Sequence, residues 1–342
     1  MAPPRSRSDW LRRRAGAAVV DGFFRGIAAA GRLHPNARPE RHGVEVVRDL
    51  AYLDDGRPEH RLDVYRPAGQ SGRSGPLPTV LYVHGGGFRI LSKDTHWLMG
   101  LAFARHRYLV FNINYRLAPR HPFPAAIADA CAAYAWLARE GPALGADLSR
   151  LVLAGESAGA NLVTALAVAA CWPRPEPFAR AVFESGVVPR AVLPACGILQ
   201  VSDVERFARR KKLHPFVSDR LREVRDAYLH GFTPSRPEDL DLADPLVLLE
   251  RGEPPVRPLP AFFAFVGTAD PLLDDTRRLQ VAVERLGGTC AARYFPGEPH
   301  AFHAFVFRDS ARRAWREAYA FLDEHLVADA PRARTPWPTT AT

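Results

Sequence analysis

One stretch constrains this chain more than any other: Leu151 to Trp172, reading LVLAGESAGANLVTALAVAACW. Leu151–Ala154 is a short apolar run of the kind that forms a buried strand. Gly155-Glu156-Ser157-Ala158-Gly159 is a turn. The Ala- and Leu-rich segment after it carries no glycine or proline until Pro173 and reads as a helix. A strand that turns this sharply into a helix leaves Ser157 pointing outward, beside the positive end of the helix. The rest of the chain can be tested by asking whether it supplies what such a serine needs.

In chain order, Trp10 to Gly31 has helical character, after a start at residues 1–9 expected to be disordered. Val44–Leu53 and Arg61–Tyr65 read as an antiparallel hairpin at a sheet edge, joined through the turn Asp54-Asp55-Gly56-Arg57-Pro58. Strands are expected at Thr79–Val83, Tyr108–Asn112, Leu148–Ala154, Arg190–Val201, Ala261–Val266 and Cys290–Phe295. Helices are expected at residues 95–106, Ala125–Arg139, Leu272–Leu286 and Ser310–Leu326. Residues 203–232, rich in charges and aromatics at helical spacing, read as an insertion, and the prolines at 173–177 and 254–260 as connections. Strands alternating with helices argue for an α/β fold: a mostly parallel sheet covered on both faces.

Composition narrows the function classes. The chain has 342 residues, 47% hydrophobic and 24% charged, enough to bury a large core without disulfides. Cys131, Cys171, Cys196 and Cys290 are scattered without CxxC spacing, which indicates neither a zinc site nor a redox motif and fits a reducing, cytoplasmic compartment. A net charge of +9 invites a nucleic-acid reading, but the arginines are dispersed and no recognition motif accompanies them. Stable membrane insertion is not expected, because the uncharged run Ser157–Trp172 falls short of the ~20 residues a bilayer requires.

A serine hydroxyl is a weak nucleophile at neutral pH and needs a base oriented by a carboxylate. Where the serine sits on such an elbow, acid and then histidine follow it in the chain. After Gly267 the histidines are His300, His303 and His325. His300, in the loop past the strand that ends at Phe295, stands where a base belongs, with His303 its neighbour and competitor. Asp270, in the loop after Ala261–Val266, is the best acid. Asp274 and Asp275 read as favourable charge at a helix start. Acyl transfer also needs N–H donors for the developing oxyanion, and Gly85-Gly86-Gly87, directly after a strand, offers a backbone able to approach closely, with Ala158 adding one donor.

Taken together these residues resemble the hormone-sensitive-lipase-like (bacterial family IV) esterases of the α/β-hydrolase superfamily. His84-Gly85-Gly86-Gly87-Phe88 resembles the HGGG[FW] motif, and Asn114–Pro119 with His121–Ala126 the YRLAPEHPFPAA stretch. Gly155–Leu162 resembles GDSAGGNL, Asp270-Pro271-Leu272 the DPL motif, and His300-Ala301-Phe302 the HGF motif. The likeness runs in order through about residues 45–326. It implies an α/β-hydrolase fold with Ser157 as nucleophile, Asp270 as acid and His300 as base. Gly86, Gly87 and Ala158 would form the oxyanion hole, supported by His84, Gly85, Gly155 and Gly159. It implies no metal or organic cofactor. The departures are Glu156 for Asp, Ala160 and Ala301 for Gly, and Arg120 for Glu.

The resemblance further implies N-terminal cap helices at 1–40, a first core segment at 41–202, a cap insertion at 203–232 and a second core segment at 233–329; the proline- and threonine-rich tail at 330–342 is expected to be disordered. Trp10, Phe23, Phe24, Phe207, Phe216 and Tyr228 could line an acyl pocket, although aromatics at helical spacing more often simply pack. The expected activity is hydrolysis of short- to medium-chain acyl esters, a small-molecule substrate. An amide or N-acetyl deacetylase with the same residues is the alternative, and a non-catalytic receptor on the same fold a third. Pairing into a homodimer is left open by the family.

Overall fold

The computed structural model describes residues 7–69, 75–210 and 212–326. Its eight strands are β1 (Val44–Ala51), β2 (Arg61–Pro67), β3 (Leu77–Val83), β4 (Leu109–Ile113), β5 (Ala146–Glu156), β6 (Ala191–Ala195), β7 (Ala261–Gly267) and β8 (Cys290–Phe295). The helices are α1 (Arg7–Leu33), α2 (Trp97–Arg105), α3 (Ala125–Glu140), α4 (Ala158–Cys171), α5 (Pro177–Glu184), α6 (Arg206–Arg210), α7 (Pro215–Tyr228), α8 (Pro245–Arg251), α9 (Leu273–Arg285) and α10 (Asp309–His325).

The strands form one sheet in the order β1-β2-β4-β3-β5-β6-β7-β8. β2 runs antiparallel to both β1 and β4, and every other neighbouring pair is parallel. The expected edge hairpin and mostly parallel α/β sheet are therefore observed. The central strands are apolar on both faces because both are covered. Leu81 and Val83 of β3 join Leu151 and Leu153 of β5 in a core with α3, α4 and α9. Val80, Tyr82, Val152 and Ala154 alternate to the other face and pack with α2 and α10.

Several boundaries differ from expectation. α1 begins at Arg7, so residues 7–9 are helical rather than disordered. β6 stops at Ala195, not Val201, because Cys196 takes a left-handed backbone (φ 40°) and its N–H bonds Phe265 O at 2.8 Å. α5 starts within the proline-rich connection, at Pro177, and α8 lies before the second one, where no element was expected; each has proline in its first turn, where the ring costs no helical hydrogen bond. The expected tail at 330–342 lies outside the described residues, as do 1–6. Among the described residues no helix is long and apolar enough to cross a membrane.

What positions the site is the approach of α4 to the sheet. A Cβ on Gly159 would stand 2.0 Å from Val83 O and 2.8 Å from His84 O. Only glycine lets the first turn of α4 lie against the end of β3. Gly159→Ala forces that methyl into backbone that cannot shift without breaking the β3–β5 pairing. We expect it to lower stability by about 3 kcal/mol. Urea unfolding followed by circular dichroism checks this, and a midpoint equal to wild type would overturn it.

Candidate active site

The nucleophile candidate follows β5 directly. Ser157 has φ 55° and ψ −115°, a strained backbone for a non-glycine residue. Its N–H is held by Ala195 O at 2.9 Å, so β6 fixes the elbow from the side. The Ser157 hydroxyl lies 3.1 Å from His300 Nε2, and His300 Nδ1–H donates to Asp270 Oδ2 at 2.8 Å. Asp270 is buried after β7, and its other oxygen accepts the Leu272 N–H at 2.8 Å. That bond locks the carboxylate in one rotamer.

Burial works against a charged His300, but the Asp270 carboxylate outweighs it and holds the imidazolium pKa well above the ordinary value. His303 is placed elsewhere. It is buried beside Phe265 and Trp315, and burial pushes its pKa down to about 3. The structure thus brings His300, and not its neighbour, to the serine. Asp274 pairs with arginines near the surface. Asp275 is more than a helix-end charge: it is fully buried, accepts the Leu199 and Gln200 N–H groups, and pairs with Arg206. It anchors the loop after β6.

The glycine-rich loop follows β3. A Cβ on Gly85 would lie 3.3 Å from Ser157 Cβ, so this loop borders the serine. Gly86 has φ 113° and Gly87 φ 59°. A Cβ on Gly86 would meet Ile90 O at 2.1 Å, which excludes any other residue there. As the first residue of α4, Ala158 carries an N–H with no intrahelical acceptor, as every helix start does. His84 is buried and stacked on Tyr115 (4.3 Å), whose hydroxyl donates to His84 O at 2.9 Å. Gly155 ends the β3–β5 pairing, opposite Val83.

The loop is fastened by Glu156. Its Oε1 accepts the Gly85 N–H at 2.5 Å and lies 2.7 Å from His96 Nε2, while Tyr82 OH donates to Oε2. Burial raises the Glu156 pKa to about 8 and lowers that of His96 to about 4, so near neutral pH both are uncharged. His96 Nδ1 faces Ser92 O at 3.1 Å, which makes Nδ1 the protonated nitrogen and leaves Nε2 to accept from the Glu156 acid. Sequence reasoning missed Tyr82 and His96. The signal available was only their position, at the end of β3 and the start of α2.

Two other groups went unread. Arg116 donates twice to buried Asp129, whose Oδ2 also accepts the Arg116 N–H, fixing the Tyr115–Pro119 turn. Cys196, just past β6, offers a sulfur that lies with one donor atom each of Asp270 and His300 within a mutual 4.8 Å. Arg120 is exposed, and nothing in the structure explains its exchange for Glu. Of the aromatics considered for an acyl pocket, Phe207 and Tyr228 are buried packing residues, Tyr228 stacking on Phe88 at 3.8 Å. Phe23 and Phe216 are exposed, and the side chain of Trp10 is outside those described.

Residues 80–304 match a family model described as alpha/beta hydrolase fold. The chain belongs to that family. Carboxylesterase NlhH of Mycobacterium tuberculosis is 35% identical over 236 residues, 67% of each chain. The resemblance to family IV esterases is accordingly borne out. Among solved structures, esterase LipW of Mycobacterium marinum superposes with TM-score 0.70 at 26% identity, covering 95% of this chain and 92% of its own. A bacterial heroin esterase gives TM-score 0.74 at 23% identity, covering 92% and 93%, a likeness of fold.

The buried acid Glu156 makes a stability prediction. Its folded pKa of about 8 lies above the unfolded carboxylate value, so the proton it retains favours the folded state below about pH 4.5. That contribution is lost as pH rises through 8. Glu156→Gln cannot titrate, so its stability relative to wild type should move in the variant's favour between pH 5 and 8, by on the order of 3 kcal/mol, whatever the offset at pH 5. Urea unfolding of both proteins across this range checks it; a pH-independent difference would contradict the assignment.

Proposed function

We propose that this hydrolase is a serine carboxylesterase for short- to medium-chain acyl esters, with Ser157, His300 and Asp270 as its triad. The observation that carries this is the His300 imidazole, bonded on one nitrogen to Ser157 and on the other to buried Asp270. Similarity to a carboxylesterase at 35% identity supports the ester as the bond attacked.

His300 takes the Ser157 proton as Oγ adds to the ester carbonyl. The imidazolium that forms is stabilised by Asp270, the same interaction that raises its pKa. The carbonyl oxygen becomes an oxyanion held by the N–H groups of Gly86, Gly87 and Ala158, at the positive end of α4. One such donor contributes roughly 3 kcal/mol to the transition state. Collapse returns the proton to the departing alcohol and leaves an acyl-Ser157. Water, deprotonated by His300, then releases the acid.

Val224 of α7 stands over this loop, its Cγ2 2.7 Å from where a Gly87 Cβ would be. We read α7 as part of a cap over the proposed oxyanion hole, placed to limit acyl length. All four cysteines are buried and held in no disulfide, in keeping with a cytoplasmic setting.

Ser157→Ala should reduce p-nitrophenyl butyrate hydrolysis at least about 10³-fold and abolish labelling by a fluorophosphonate. Retained turnover would overturn the assignment. Because the base must be neutral and Asp270 raises its pKa, the rising limb of kcat/KM against pH lies above 6.5 in the free enzyme. Asp270→Asn moves that limb to lower pH while cutting the rate. A limb unmoved by this change would show that Asp270 does not hold His300.

A further inference from the structure

The carboxyl ends of β6, β7 and β8 bring together three side chains of different chemistry. Asp270 and His300 belong to the proposed triad. Cys196 has no part in the relay, yet its sulfur and one donor atom of each partner lie within 4.8 Å of one another. Cys196 is buried and its N–H is pinned to Phe265 O at 2.8 Å, so the thiol is held at this place by β7. A carboxylate, an imidazole nitrogen and a thiol are the donor types that zinc selects, and three protein ligands with a fourth open position form a common tetrahedral set.

We propose that Cys196, Asp270 and His300 form a binding site for a thiophilic divalent cation of the zinc class, and that its occupation switches the esterase off. This rests on the triad reading above. Binding releases the thiol proton to solvent and places the sulfur, one carboxylate oxygen and one ring nitrogen on the ion. Water completes the shell. Asp270 faces Nδ1 at 2.8 Å, so the ion binds the ring there. The ring proton then sits on Nε2, which can only donate and no longer receives the serine proton. Asp270 and His300 alone are a two-ligand site; Cys196 is the residue that makes it three. The His300 side chain is 36% exposed, which gives a small ion an approach.

The test compares wild type, Cys196→Ala and Cys196→Ser in zinc concentrations set by a metal buffer, each normalised to its own metal-free rate. Wild type should be inhibited reversibly, with activity restored by a chelator. Removing a ligand should raise the half-inhibiting zinc concentration at least about tenfold, since even residues that only orient ligands cost that much. A second readout needs no turnover. Cobalt(II) added to the Ser157→Ala protein should give a thiolate-to-metal charge-transfer absorption, absent once Cys196 is also replaced. Equal zinc sensitivity in all three proteins, or no thiolate band, overturns the site. Because the cobalt spectrum is independent of activity, failure of the triad assignment and failure of the metal site are told apart.

Discussion

The hydrogen bond between Ser157 and His300 is the interaction on which the rest of this structure depends. It joins residues 143 positions apart, and the His300–Asp270 bond adds a third loop 30 positions away. Nothing local holds these groups together. They meet because β5, β7 and β8 are parallel, so that their carboxyl ends open on one edge of the sheet. The parallel arrangement in turn requires helices on both faces, and hence the two apolar cores built on alternate residues of each strand. Packing in the interior and chemistry at the edge are consequences of one topology.

That edge carries an unusual amount of buried polar chemistry, sorted by charge. Glu156, His96, His84 and His303 are all driven toward their neutral forms by burial. His300 alone is driven toward the cation, because Asp270 faces it directly. The neutral groups can hold the oxyanion loop through hydrogen bonds without adding a net charge that would compete with the developing oxyanion. A charged Glu156 adjoining the nucleophile would oppose negative charge on the substrate; a neutral one that accepts the Gly85 N–H does not.

Much of this was legible in the sequence because it is written locally. The elbow at Gly155–Gly159, the triple glycine after β3, and the loops carrying Asp270 and His300 each have a backbone reason for their residues. Strand–helix alternation was equally plain. What escaped reading depends on contacts between segments. Tyr82 and His96 look like an ordinary strand residue and a helix-end histidine until α2 is laid against the end of β3. Asp275 looks like helix-start charge until the loop after β6 reaches it. The start of α5 was read as a connection because proline density suggests a linker, yet a proline in the first turn is compatible with a helix. His303 and His300 share a loop; position in that loop already favoured His300, and the partners separate them, Ser157 and Asp270 for His300, Phe265 and Trp315 for His303.

Three departures from the family pattern, Glu156, Ala160 and Ala301, lie at this same edge, and the structure shows how the two alanines are accommodated. Ala160 adds a methyl to the first turn of α4. It fits because Gly197 faces it, and a Cβ there would stand 3.0 Å from the Ala160 Cβ and 2.6 Å from Leu199 Cδ2. The side chain present on one side is absent on the other. Ala301 has no such partner. It sits at φ 56° immediately after His300, a conformation that costs an alanine roughly 1 kcal/mol over glycine. The strain persists because Phe302, buried against Phe265 and Phe295, fixes the chain on the far side, as Asp270 fixes His300 on the near side. With both neighbours held, residue 301 has no freedom to relax. The left-handed turn therefore has to exist whatever residue occupies it, because it lets one loop present its histidine to the serine and its phenylalanine to the core.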